Sequence, residues 1–156
     1  MIGRAAIVVL VGALALAGCG GKEKEKPRLS HAQYERELHA AYGSVREAFR
    51  QTRVGSLSEL DPKLGAAQAQ LRHAAEELES GEPPRDVAHE HEELVEGLRE
   101  YAEELDEVRE AARDGNQQRV AEFNANVGKN EAVEQIAESL EEINHRGYDL
   151  GDIKLD

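Results

Sequence analysis

The sequence predicts an all-α fold, an antiparallel up-down four-helix bundle. Three observations lead there. Ala, Leu, Glu and Arg dominate the 156-residue chain, a helix-forming composition. Apolar residues recur in steps of three and four in four separate segments, the period of helices that each bury one face. Breaks containing Gly or Pro separate those segments about every 25 residues, and no segment alternates apolar and polar as a half-buried strand does.

The first helix is expected over 31 to about 53. Ser30 and Gln33 have capping-box spacing at its start. Its seam is Tyr34, Leu38, Ala41, Val45, Ala48 and Thr52, and Gly55-Ser56 ends it. The second carries Leu57, Leu60, Leu64, Ala67, Leu71, Ala74 and Leu78. Pro62 suits a first turn, so the regular helix is expected from near Asp61, with a strained start at Ser56 as the alternative. Ser80-Gly81-Glu82-Pro83-Pro84 breaks the chain.

The third helix is expected from around Pro84, with a seam of Val87, His91, Leu94, Leu98, Tyr101, Leu105, Val108 and Ala112. Asp114-Gly115-Asn116 ends it and can cap the next. The fourth has Val120, Phe123 and Val127, then Val133, Ile136, Leu140 and Ile143. Three Asn and a Gly between positions 124 and 130 predict a kink or short break. Gly147 is placed as a C′ residue with Tyr148 covering the helix end. Each helix shows one apolar stripe and so needs neighbours on one side only. The structural rival is a three-helix bundle with the fourth segment docked loosely. The breaks cut the heptads too often for a long coiled-coil dimer.

Before the helices stand residues 1–18. Arg4 is their only charge, and Ile7 to Ala17 is an apolar run interrupted by Gly12. A positive n-region, a short h-region and small residues at the end describe a signal peptide. The run is shorter than the roughly 20 apolar residues that a membrane span needs. Leu16-Ala17-Gly18-Cys19 resembles the lipobox of bacterial lipoproteins. The resemblance implies cleavage before Cys19, a diacylglyceryl group on its thiol and acylation of the new amino group. Cys19 is the only cysteine, so no internal disulfide competes for it. One acyl chain binds membranes marginally, whereas two or three hold firmly.

Residues 19–29 then read as a lipidated cysteine and flexible tether, 30–148 as the bundle domain and 149–156 as a tail. A tether of ten residues reaches at most about 35 Å. Residues 83–105, PPRDVAHEHEELVEGLREYAEEL, also look like small helical lipoproteins of GC-rich Gram-positive bacteria. That likeness implies an extracytoplasmic helical domain and supplies no catalytic residue.

Composition narrows the partners. From Cys19 onward there are 18 Lys and Arg against 32 Asp and Glu, a formal net charge of −14. Nucleic acid is disfavoured, because phosphate binding needs a basic patch. With no Trp, two Phe and four Tyr, a large aromatic ligand pocket is not expected. There is no nucleophile elbow, CxxC, Gly-rich phosphate loop or HExxH. The expected function is therefore non-enzymatic: a lipid-anchored module on the extracytoplasmic face of the cell membrane. Its partners would be the membrane, through the anchor, and an envelope protein or glycan.

The polar residues offer one alternative. Glu93, Glu96, Glu100, Glu103, Glu104 and Glu107 read as a solvated face. His89 and His91 are two apart, on opposite sides of a helix, so they cannot chelate one ion. Glu142 and His145 have the Glu-x-x-His spacing of di-iron bundles, but Asp86 to His89 only imitates the second motif. In an up-down bundle all six histidines map to one end. His39, His73 and His91 would stand at similar heights, roughly 10 Å from that end. The alternative function is thus a transition-metal-binding or pH-responsive lipoprotein with His39, His73 and His91 as candidate ligands.

Overall fold

A computed structural model describes residues 26–52, 57–126 and 129–151. It is all-α, with α1 His31–Thr52, α2 Leu57–Glu79, a 3-10 turn Arg85–Val87, α3 Ala88–Arg113, α4 Gln117–Asn126 and α5 Glu131–His145. Among the described residues there is no strand and no helix long and apolar enough to cross a membrane. Residues 1–25, and with them the signal peptide and Cys19, lie outside the described residues.

The ends of α1 and α5 follow local chemistry. The Gln33 side-chain oxygen accepts from the Ser30 backbone N–H at 3.0 Å and from the Ser30 hydroxyl at 2.6 Å, one half of a capping box. Asn130 caps α5, its side-chain oxygen accepting from Val133 N–H at 3.1 Å. At the other end of α5, Gly147 takes φ +95°, and the Tyr148 N–H reaches the Ile143 carbonyl at 3.4 Å. The expected break in the last helical segment is present, dividing it into α4 and α5.

Two helix expectations are corrected. Helix α2 begins at Leu57 rather than near Asp61, and Pro62 lies inside it. Proline there removes one backbone hydrogen bond. Tertiary contacts hold the turn nonetheless. Leu60 and Leu64 are buried, and Asp61 receives Arg109 and Arg113 of α3, each at 3.0 Å. Helix α3 is not one-striped. Beside the expected seam it buries Glu90, Val95, Gly97, Ala102 and Ala111. The reason is its central place, with α2 on one side and α4 and α5 on the other.

The pairing runs in order along the neighbours. Asp61 of α2 meets Arg109 and Arg113, Gln68 donates to the Ala102 carbonyl at 2.8 Å, and Glu79 pairs with Arg99. Partners descend α3 as they climb α2. On the other side Glu104 meets Asn130, Gly97 meets Ile136, and Glu90 meets Arg146. A Cβ on Gly97 would stand 3.1 Å from Ile136 and 3.2 Å from the Ala132 carbonyl, so this glycine sets how closely α3 and α5 approach. Helix α1 packs on α2 and reaches α3 through rings, Phe49 stacking on Tyr101 with centroids 5.0 Å apart. Tyr34, Leu38, Leu64, Leu71, Leu98, Leu105 and Ile136 fill the core, each fully buried.

Both flanks of the domain depart from expectation. Residues 26–29, expected as free tether, are docked on the α2–α3 turn. Leu29 N–H donates to the Glu82 carbonyl at 2.8 Å, and Glu82 N–H to the Pro27 carbonyl at 3.1 Å. Arg28 pairs with the Glu82 carboxylate at 2.6 Å and donates to the Pro83 carbonyl at 2.9 Å. Gly81 makes room for Leu29, which sits 2.8 Å from where a Cβ would be. Leu150, expected in the tail, is buried, and its N–H donates to the Asn144 side chain at 3.1 Å. An apolar side chain next to a charged string binds when a neighbouring turn leaves a niche for it, which local composition does not reveal.

Candidate functional site

The polar and aromatic groups that could act on a ligand gather where the lead-in, the starts of α1 and α3 and the end of α5 meet. His91 sits on the α3 seam, so helix geometry turns it inward, and it is 5% exposed. Its Nδ1 lies 3.1 Å from the Tyr34 hydroxyl of α1. Burial pushes the His91 pKa below the ordinary histidine value; Glu92 and Glu79 oppose that shift and Lys26 adds to it. Burial raises Tyr34, with the Tyr148 ring next in effect, so its hydroxyl keeps its proton.

Tyr148 closes this cluster. Its ring is edge-on to Tyr34, with centroids 5.3 Å apart, and stacks on His31 at 4.1 Å. Its hydroxyl donates to Asp86 at 3.2 Å, and burial with the Asp86 charge pushes its pKa up to about 12. Nearby, Arg146 holds the buried Glu90 carboxylate, and Asp149 N–H donates to Glu35 at 3.0 Å. The end of the chain's last helix is thereby fastened to the starts of α1 and α3.

On the other side of His91 is an open groove of about 550 Å³. Its wall is one face of α3, carrying His91, Glu92, Val95, Glu96, Arg99, Glu100 and Glu103, with Arg99 reaching Glu79 on the opposite rim. Glu79, Lys26 and the 81–83 turn form the opposite rim, where Lys26 Nζ donates to the Glu79 carbonyl. The face of α3 read from sequence as merely solvated is thus partly a groove wall. Its other carboxylates have structural partners: Glu93 meets His89 at 3.3 Å, Glu104 meets Asn130, and Glu107 meets Arg119 at 2.7 Å.

The candidate metal ligands are not brought together. His39 and His73 are exposed, His73 facing Glu77 at 3.5 Å, while His91 is turned into the core. Among the described residues no group of three or more His, Cys, Asp or Glu could hold a metal ion. Similar height along a bundle is one coordinate only. His39 and His73 lie just off their seams, after Leu38 and before Ala74, and so point outward. The di-iron imitation also dissolves, since Asp86 accepts from Tyr148 and His89 pairs with Glu93.

No protein-family model, curated protein or solved structure matches the chain. Sequence reasoning missed Tyr34, Tyr148, Glu92 and Lys26 as parts of one site. The signal available for Glu92 was its step of four from Glu96 and of eight from Glu100.

Proposed function

We propose that the protein is a non-enzymatic lipoprotein, an acidic helical interaction module anchored through Cys19 on the extracytoplasmic face of the cell membrane. The observation that carries the reading is the docked lead-in. With residues 26–29 clamped to the α2–α3 turn, six residues separate Cys19 from Lys26, the first docked residue. Their contour is at most about 25 Å. An anchor at Cys19 would hold this end of the bundle, and the groove beside it, next to the bilayer. The lipobox resemblance of Leu16 to Cys19 and the absence of a second cysteine support the same reading.

The test is metabolic labelling with a radiolabelled fatty acid in a bacterial host that processes lipoproteins. The wild-type chain should take label and sediment with membranes. Cys19→Ser should take none and appear as precursor or in the soluble fraction. A Cys19→Ser chain that still carries label overturns the anchor.

A further inference from the structure

Helix α4 is held far less firmly than the helices around it. Of its residues Val120 alone is buried, and Phe123 is half-buried against the Tyr101 ring, with centroids 6.5 Å apart. Arg119 meets Glu107 at 2.7 Å, but both side chains are exposed. Helix α4 packs chiefly on α3 and runs back along its end. Helix α5 is different. Ile136, Leu140 and Ile143 are buried, Gly97 admits Ile136, and Arg146 holds the Glu90 carboxylate. The last helix therefore gains much from an α3 to lie on, and nothing in that contact requires the α3 to be its own.

One residue turns the chain back between α3 and α4. Gly115 takes φ +71°. Two backbone bonds close the turn, Gly115 N–H to the Ala112 carbonyl at 3.2 Å and Asn116 N–H to the Ala111 carbonyl at 2.8 Å. The helical pattern itself does not stop there. Leu105, Val108, Ala112, Asn116, Val120 and Phe123 follow one another in steps of three and four, with Asn116 the polar member. With residue 115 in helical backbone, α3 and α4 become one helix from 88 to 126, about 58 Å long, with one continuous stripe. Helix α5 is then carried away from its own α3.

We propose that two copies of this chain form a dimer by exchanging α4 and α5 about Gly115. In each copy the hinge straightens, α4 lies on the end of the other copy's α3, and α5 fills the place that the other copy's α5 has left. The contacts of Gly97 with Ile136, Glu90 with Arg146 and Glu104 with Asn130 then form between copies instead of within one. The two long helices overlap antiparallel at their α3 ends, a two-fold arrangement that closes on itself. Both forms make the same contacts, so the hinge conformation and the protein concentration set the balance between them. The exchange names a second copy as a partner and does not depend on the anchor, so the labelling test and this one fail separately.

The test is sedimentation equilibrium of the full-length chain in a density-matched nonionic detergent. The chain is refolded from urea at about 0.2 mM, in about 0.2 M salt to screen its net negative charge. A Cβ at position 115 meets nothing within 4 Å, so Gly115→Ala changes backbone preference without a clash. Alanine disfavours the left-handed turn and favours the helix. It should raise the dimerisation constant about tenfold per hinge, and about a hundredfold for the two hinges of a dimer. Asparagine tolerates the left-handed turn and is a poor helix former, so Gly115→Asn should stay within about threefold of the wild type. The Gly115→Ala dimer should persist after dilution, because α5 must leave α3 before the copies part. Equal dimer in Gly115→Ala and the wild type overturns the proposal, as does an equal rise in Gly115→Ala and Gly115→Asn. A Gly115→Ala dimer that separates as soon as it is diluted is a surface contact and overturns the exchange. Loss of circular-dichroism helix content in Gly115→Ala also overturns it, since the exchange requires helical backbone at residue 115.

Discussion

Tyr34→Phe is the sharpest test of the cluster behind the groove, because it deletes one oxygen and little else. Tyr34 is fully buried, and its hydroxyl is the partner that the structure gives to His91 Nδ1, at 3.1 Å. Phenylalanine keeps the edge-on contact with the Tyr148 ring at 5.3 Å and the tilted contact with His91 at 5.6 Å. What is lost is one hydrogen bond, and what remains is a histidine nitrogen with 5% of its residue exposed. Leaving a buried polar atom unpaired costs about 1–3 kcal/mol, more than the 0.5–1.5 kcal/mol of a typical net hydrogen bond. Removing the second partner as well should relieve that penalty. Tyr34→Phe/His91→Leu should therefore be less destabilised than the two single changes summed, with a coupling of about 1–2 kcal/mol. The assay is urea unfolding by circular dichroism at pH 7.5 on the chain from Gly20 onward. With a slope of about 1.5 kcal/mol per molar urea, Tyr34→Phe should move the midpoint down by about 1 M. A shift below about 0.2 M, or an additive double variant, would refute the paired burial of Tyr34 and His91.

The same histidine makes stability depend on pH. Burial holds the folded His91 pKa below its unfolded value near 6.5, so the unfolded chain takes up the proton first and stability falls as pH drops below about 6.5. The slope from this group is at most about 1.4 kcal/mol per pH unit until the lowered folded pKa is reached. His91→Leu should flatten the urea midpoint between pH 7.5 and 5.5 by that share; an unchanged slope would sink the argument. Leu98→Asp places a charge at a fully buried position of α3 and should abolish cooperative thermal unfolding, whereas a well-folded variant would mean that this seam is not core. Gly81→Val puts side-chain atoms where Leu29 sits, 2.8 Å from the place a Cβ would take, and should release residues 26–29 at a cost of about 1–3 kcal/mol. Limited proteolysis near Arg28 should speed up while helix content stays constant. Equal cleavage of both proteins would show that the lead-in is not held there.

Much of the fold was legible because local chemistry and periodicity agree. Ser30 and Gln33 mark one helix start, Asn116 another, and Gly147 with Tyr148 closes the last helix. Pro62 misled because propensity speaks for isolated chain, while Leu60, Leu64 and the Asp61 ion pairs hold α2 together from outside. The second stripe of α3 was hidden for a different reason. Gly97 and Glu90 belong to it, and neither reads as core until Ile136 and Arg146 are known to face them. The candidate site suffered most. Spacing gave heights along the bundle for His39, His73 and His91, and the direction of each was legible too, because His91 stands on its seam while His39 and His73 stand beside theirs. The docking of Lys26, Arg28 and Leu29 depends on a turn more than fifty residues away, and no local pattern carries that information.

The docked lead-in and the groove share one structural element, the turn at residues 81–83, and that sharing has a mechanical consequence. Glu82 binds Leu29 and Pro27 through its backbone and Arg28 through its side chain, while the same residue lines the groove rim. A ligand that pulls on the rim therefore pulls on the lead-in, and a force on the lead-in deforms the rim. Under the anchored reading, the carboxylates of the groove stand at graded distances from the bilayer. The row rises about 16 Å from Glu92 to Glu103, twice the screening length of about 8 Å at physiological salt. Anionic headgroups would then repel the carboxylates nearest the lead-in while leaving the far end of the row unaffected.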